Sequence, residues 1–377
     1  QILMKHQSGV AVSGSEWRAA EAAFAGCVGS KVVDQELLVS CLYALGICRT
    51  SLGRHAAAVD AYDAALRVRP HHDGALAQRA GQLMALGRKV EAAADFRHAL
   101  RLQPKQPVSV LYQFAVISRE DTEREKLLRD VLALEPDHQG AHSWLVTQLQ
   151  WSGRHREAQK CLAQAVSSGI FPNKWQHQTR PFIQGLLSKP FWTGKEYTEL
   201  SLVLDLMRER WRDVAHEYRR CSDWRRSLDG PTSGHEGIAD PSKGGWELLH
   251  IARARSNLED CRPEMPVICQ LLRSVADVGR RFKFLDADIS ILDAGAHIRS
   301  HVGPHNRRLT VHLPLDVPQS PRSVIRVADS RTEFVDGEPF IFDDSFEHEA
   351  WNEGDAQRTV LMVTISHPDL ASSHRDL

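Results

Sequence analysis

Arg308-Leu-Thr-Val-His-Leu-Pro-Leu315 alternates along its whole length. Leu309, Val311, Leu313 and Leu315 fall on one side, and Arg308, Thr310 and His312 on the other. Side chains on a β-strand point in turn to opposite faces, so this run predicts a strand with one packed face and one polar, cationic face. Three more short β-rich runs surround it: Ile289-Ser-Ile-Leu292, Pro339-Phe-Ile-Phe342 and Thr359-Val-Leu-Met-Val-Thr-Ile365. Several such strands about a polar interior predict a double sheet of the jelly-roll or cupin-like kind. Upstream, the three-to-four spacing of Leu200, Leu202, Val203, Leu206, Met207 and Trp211 predicts an amphipathic helix within 195–220, and 262–281 reads as another. Between them, a Gly/Ser/Pro-rich stretch over 227–245 reads as an active-site flap or an unstructured loop.

The polar face has chemistry within reach. Phe342-Asp-Asp-Ser-Phe-Glu-His-Glu-Ala-Trp351 places His348 at the end of an apolar strand, and His301 lies upstream in His301-Val-Gly-Pro-His-Asn306. Neutral imidazoles are good ligands for first-row metals, and strand ends can bring distant positions to one rim. The common two-histidine-one-carboxylate iron site would want a carboxylate at position 303, which is Gly303. The site must therefore use water, Asp343 or Asp344, or no metal. The turn Asn352-Glu-Gly-Asp-Ala356 predicts that Arg358 starts a strand beside the one ending at His348. An arginine there suits a carboxylate, and Ser290 facing the same cavity adds a hydrogen bond. Metal plus carboxylate clamp is equipment for 2-oxoglutarate. The plain alternatives are a turn cap for Asp343-Asp344 and an ion pair between Arg358 and Glu347 or Glu349.

Composition bounds the rest. Across 377 residues, 47 Lys+Arg against 48 Asp+Glu give a net charge of -1, which argues against non-specific nucleic-acid binding. No stretch approaches the ~18–20 uninterrupted apolar residues of a membrane helix. The N-terminus lacks a signal-peptide layout, so a cytoplasmic location is expected, or the ER lumen if an anchor precedes this chain. Seven cysteines fall short of a disulfide scaffold and read mostly as small core residues or isolated thiols. Length alone predicts two domains.

The first half has a period. Pro70, Pro104 and Pro136 recur at spacings of 34 and 32, the period of a helical solenoid. Leu42, Gly53, Ala58, Tyr62, Ala65 and Pro70 are echoed by Leu76, Gly87, Ala92, Phe96, Ala99 and Pro104, and again by Trp144, Gly153, Ala158, Leu162 and Ala165. These offsets resemble the tetratricopeptide repeat. The unit over 107–136 is degenerate, with Arg119 and Arg124 in place of the glycine and the alanine. Such an array either binds a peptide or protein partner in its groove or props up its neighbour. The breaker-rich run near Pro172 sets the expected domains at 1–172 and 173–377.

Residues of roughly 175–370 resemble the aspartyl/asparaginyl β-hydroxylase family of Fe(II)/2-oxoglutarate oxygenases. The blocks that carry the resemblance are Gly185-Leu-Leu-Ser-Lys-Pro-Phe-Trp192, His301-Val-Gly-Pro-His-Asn-Arg-Arg-Leu309, Phe342–Trp351, Arg358 and His367-Pro368. Animal members also carry tetratricopeptide-like repeats ahead of the oxygenase domain. The resemblance implies a multidomain α plus β chain, an α-helical tetratricopeptide solenoid followed by a double-stranded β-helix. It implies a two-histidine iron site without the usual carboxylate, held by His301 and His348, with Asp344 hydrogen-bonded to water on the metal. Ser290 and Arg358 would hold the distal carboxylate of 2-oxoglutarate, His312 would sit near its chelating end, and Trp246 would also contact it. Arg308 would face the substrate. The family's Arg-X-Arg-X-His strand has lost its second arginine at Thr310, and the family's bonded cysteine pair has a counterpart in Cys261/Cys269 with one residue more between them.

The reaction so implied uses Fe(II), 2-oxoglutarate and O2 to hydroxylate the β-carbon of an aspartyl or asparaginyl residue in a peptide or protein. The same chemistry on a fatty-acyl lipid or a free or carrier-bound amino acid, and a non-catalytic interaction protein, are the alternatives.

Overall fold

The computed structural model describes residues 2–8, 10–30, 34–221, 232–233, 238–240, 242–253, 258–320 and 323–370. Most of the expected loop over 227–245 lies outside them.

The chain divides into two compact units, Gln1–Ala141 and His142–Leu377. The first is helical: α1 (Ile2–Gln7), α2 (Gly14–Val28), α3 (Gln35–Ser51), α4 (His55–Val68), α5 (Asp73–Ala85), α6 (Lys89–Leu102), α7 (Val108–Ile117) and α8 (Asp121–Leu134), with α9 (Gln139–Trp151) starting at its end. The repeated glycines do what the period demands. Gly53 and Gly87 take positive φ of 70° and 76° between the helices of successive hairpins, a conformation that a Cβ disfavours. Ala58, Tyr62 and Ala65, like Ala92, Phe96 and Ala99, are buried where paired helices meet. In the degenerate unit, both helices form without the glycine. The Arg124 guanidinium there donates to the Ser118 carbonyl at the end of α7, capping a turn that Gly would otherwise shape. A sulfur bond joins Cys27 on α2 to Cys41 on α3, so the expectation of unpaired thiols fails for this pair. The end of α2 lies against the body of α3, which brings together two cysteines 14 residues apart.

The second unit continues with α10 (His155–Ser167) and then turns to sheet: β1 (Phe191–Trp192), α11 (Thr198–Arg220), β2 (Thr232–Ser233), β3 (Trp246–Arg253), α12 (Pro266–Val278), β4 (Phe284–Leu292), β5 (His297–His301), β6 (Arg308–Asp316), β7 (Ser323–Val327), β8 (Ser330–Glu333), β9 (Phe340–Phe342), β10 (His348–Asn352) and β11 (Arg358–Ser366). Two antiparallel sheets result, one of seven strands ordered β1-β9-β6-β11-β4-β3-β2 and one of four ordered β5-β10-β7-β8. Leu309, Val311, Leu313 and Leu315 of β6 join a core with Leu200, Val203 and Met207 of α11 and Ile268, Leu271 and Leu272 of α12. A second core holds Leu292 and Val360 of the larger sheet with Ile325, Val327 and Ala350 of the smaller. The larger sheet thus packs helices on one face and turns its polar face toward the smaller sheet. Glu217 of α11 accepts from the Val267 and Ile268 amides at 2.8 Å each, satisfying donors at the start of α12. Cys261 and Cys269 are bonded, fixing the chain that enters that helix.

Candidate metal and anion site

His301 ends β5 and His348 opens β10, and the two are directly paired across the ladder. Their ring centroids lie 4.2 Å apart. The His301 Nδ1 lies 2.8 Å from the Arg299 carbonyl, and the His348 Nδ1 lies 2.8 Å from the Phe346 carbonyl. A carbonyl only accepts, so each Nδ1 carries the proton and each Nε2 carries the lone pair. Burial pushes the His348 imidazole below its usual value, which keeps it neutral. Both rings are therefore set in the tautomer that a metal takes.

Position 303 has no room for a side chain. A Cβ on Gly303 would meet the Asp344 carboxylate at 2.6–2.8 Å, and the Gly303 amide donates to the Asp344 carbonyl at 2.6 Å. Where the common triad sets its carboxylate, this chain sets the flank of another. The Asp344 Oδ2 accepts from the Arg308 Nε at 2.9 Å and Nη2 at 2.6 Å, while its buried Oδ1 has no partner. Asp344, foremost among its causes, holds Arg308 above its ordinary value. Asp343 points into protein, accepting from the Ser345 amide at 2.9 Å, and burial pushes it up to about 7. Among the described residues no group of three or more His, Cys, Asp or Glu is arranged to hold a metal.

Arg358 opens β11, whose neighbours are β4 and β6. The turn after His348 therefore does not return the chain beside β10, as expected from its residues. It carries the chain across to the other sheet, so Arg358 and His348 stand on facing sheets instead of adjacent strands. Nor does Arg358 pair with Glu347 or Glu349, both of which are taken by Arg326. Its guanidinium is 1% exposed and stacks on Phe334, 4.5 Å from the ring centroid. The Nη2 donates to the Ser290 Oγ at 3.2 Å, and Nε and Nη1 are buried with no partner. Burial brings this arginine down to about 9. The Trp246 Nε1 donates to the same Ser290 Oγ at 2.9 Å, so β3, β4 and β11 converge on one hydroxyl.

His312 of β6 is enclosed by Phe334, Phe340 and Phe342, at centroid distances of 5.8, 5.3 and 5.0 Å, and both ring nitrogens are buried without a partner. Burial and then the Arg358 charge hold it neutral. Thr310, on the same face of β6 between Arg308 and His312, is buried. The residues picked from sequence thus fall into two groups. His301 and His348 of the smaller sheet stand with Asp344 in the turn before β10 and its partner Arg308 on β6, and Arg358, Ser290, Trp246 and His312 gather on the larger sheet. Gln150, His177 and Arg326, which the sequence did not single out, converge on Glu347 beside His348. Only the position of Glu347 next to the histidine could have hinted at them.

The domain is thus two antiparallel sheets with a histidine pair on one and a buried arginine without a counter-ion on the other, and it is similar to known proteins. Residues 208–368 match the family model for aspartyl/asparaginyl beta-hydroxylase, and residues 39–72 match that for the tetratricopeptide repeat. The chain carries a domain of the first kind behind helical repeats of the second. It is 31% identical over 225 residues to the human protein named "Aspartyl/asparaginyl beta-hydroxylase", covering 59% of this chain and 28% of that one. It is 42% identical over 83 residues to the "Ornithine lipid ester-linked acyl 2-hydroxylase" of Rhizobium tropici, covering 22% of this chain and 30% of that one. The matches thus span less than a third of either relative's length. The crystal structure of MamA overlays 44% of this chain and 92% of that one at a TM-score of 0.37 and 14% identity, too low to argue from.

Proposed function

We propose that this chain is an Fe(II)- and 2-oxoglutarate-dependent dioxygenase that hydroxylates the β-carbon of aspartyl or asparaginyl residues in a peptide or protein. The observation that carries the reading is Arg358: a guanidinium inside the protein with two nitrogens lacking any acceptor, opposite two imidazoles with their lone pairs presented. A cation so placed costs several kcal/mol unless an anion joins it, and a dicarboxylate is an anion that can reach it while its other end meets a metal. The donor set fits both groups. His301 and His348 would hold iron, and Arg358 with the Ser290 hydroxyl would hold the distal carboxylate. Iron with the keto acid and O2 would supply hydroxylation of an unactivated carbon–hydrogen bond, one oxygen atom going to the product and the other to succinate, with CO2 released.

The chain's own residues bind, orient and exclude. Ser290, held by the Trp246 indole, keeps its hydroxyl on the Arg358 side, so the carboxylate meets a prepared fork. The three phenylalanines around His312 keep water from the space between the sheets, which strengthens every charge interaction there. Asp344, with one oxygen on Arg308 and the other unpartnered, is placed to accept from water on the metal, and Arg308 to meet the substrate. We read the two sheets as a double-stranded β-helix, the functional boundary as 172/173, and the repeats as recruiting the peptide. On a lipid reading, the uncharged Thr310 would leave room beside Arg308 for an acyl chain, and the likeness to the lipid hydroxylase favours testing it.

Succinate release with Fe(II) and 2-oxoglutarate tests the chemistry. His348→Ala and Arg358→Ala are each expected to abolish it, and unchanged turnover in either would sink the assignment. Product masses from aspartyl peptides against acyl lipids decide the substrate.

Among the described residues no helix is long and apolar enough to cross a membrane. The two sulfur bonds favour an oxidising compartment over the expected cytoplasmic location. Alkylation of unfolded, unreduced protein is expected to label three cysteines, Cys48, Cys161 and Cys221, and to label all seven only after reduction.

A further inference from the structure

We infer that α9, the penultimate helix before the sheets, is part of the metal site's framework, with Gln150 and Trp151 acting as positioning residues for His348 and His301. The inference rests on the iron-site reading above and adds to it a role for a helix that sequence assigns to the repeats.

The contacts are specific and come in a pair. The Gln150 Nε2 donates to the Glu347 Oε2 at 2.8 Å, and Glu347 immediately precedes His348. The Trp151 Nε1 donates to the Ser300 carbonyl at 2.8 Å, and Ser300 immediately precedes His301. Consecutive residues at the end of one helix therefore grip the residue before each of the two paired histidines. The Trp151 ring is also covered by the Arg299 guanidinium, 4.1 Å from its centroid, and the carbonyl of Arg299 is the acceptor that sets the His301 tautomer.

Glu347 is fixed from three directions. Besides Gln150, the His177 Nε2 lies 3.2 Å from Oε2, and the Arg326 Nη2 donates to Oε1 at 2.9 Å. The carboxylate cannot move without breaking all three contacts. Glu347 shares the Arg326 guanidinium with Glu349, and His348 between them pairs with His301. Locking Glu347 restrains His348 through a single planar peptide unit. Metal sites are sensitive to such supports, and their loss costs about 10–100-fold in affinity.

A break at residue 172 would cut both contacts away from the sheets while leaving every other candidate site residue in place. The last helical hairpin is therefore a piece of the pocket wall as well as the end of an array.

The test uses the full chain and Co(II) alone as probe, read by calorimetry and by the visible ligand-field spectrum. Gln150→Ala combined with Trp151→Phe, which keeps the ring but removes its N–H, is expected to weaken Co(II) binding about ten-fold and to alter the spectrum. Glu347→Gln is expected to do the same without touching the helix. Metal-free melting temperature is measured on each variant. Parent-like Co(II) affinity and spectrum in the variants would overturn the inference, whatever happens to melting, because a merely structural brace lowers melting alone. A variant that does not fold without metal is titrated at lower temperature, and Trp151→Phe by itself provides a milder second case. If instead His348→Ala binds Co(II) as the parent does, the iron-site reading itself fails, and the two failures are told apart.

Discussion

Two arginines away from solvent, Arg79 half-buried in the first unit and Arg358 buried in the second, show opposite solutions to the same problem. Arg79 on α5 sits between α4 and α6, with Nε and Nη2 on Asp95 at 2.7 Å each and Nη1 on Asp63 at 2.5 Å. The side-chain hydrogen bond from Asp95, against the pull of burial, raises it above its ordinary value. Arg358 has a serine hydroxyl and a phenyl ring, and burial lowers it to about 9. The chain itself neutralises Arg79, so that residue is part of the scaffold. Nothing among the described residues neutralises Arg358, so its counter-charge is expected from a ligand. Burial alone does not separate structure from function; the presence or absence of an internal counter-ion does.

The contrast can be broken by substitution. Arg358→Met is expected to weaken 2-oxoglutarate binding about 100-fold, since a buried charge pair is worth roughly 2–5 kcal/mol, while leaving the ligand-free protein as stable as the parent or more so. Calorimetry and melting check the two halves. Arg79→Met should do the reverse: a loss of about 2 kcal/mol of stability, because Asp95 is left buried without its partner, and unchanged 2-oxoglutarate affinity. Denaturant unfolding and the same titration check it. If both variants behave alike, the distinction drawn here is wrong.

A smaller effect follows from pH. An arginine at about 9 in the folded state and at its much higher ordinary value when unfolded leaves the unfolded chain binding more protons above about 9. Stability of the ligand-free protein should therefore rise as pH climbs from 8 to 10, and the Arg358→Met variant should lack that part of the rise. Affinity for 2-oxoglutarate runs the other way, falling through the same range as the cation that receives it disappears. Unfolding curves at several pH values, parent against variant, read the first; titrations read the second.

Much of this is legible in the sequence. The alternation in Arg308–Leu315 gives β6 and its two faces, because period two is a local property of the chain. Gly53 and Gly87 mark the repeat turns for the same reason: a positive φ leaves its signature at one residue. His301 and His348 were chosen from motif and resemblance, and the structure brings them face to face on adjoining strands. What failed was non-local. A polar turn after His348 announces that the chain reverses, but not which sheet receives it, so Arg358 was expected beside the histidine and stands across from it. Cys27 and Cys41 carry no spacing that a bond requires. Gln150, His177 and Arg326 come from three distant segments, and their meeting at Glu347 depends on how a helix lies on a sheet.

The most direct test of the central claim, that the histidine pair and Arg358 are two ends of one site, is a calorimetric titration of 2-oxoglutarate under anaerobic conditions. It would compare the parent with and without Fe(II), then His348→Ala and Arg358→Met in Fe(II). Tight binding that requires the metal and is lost in each variant is the predicted result. Binding that survives both metal removal and Arg358→Met would contradict the account.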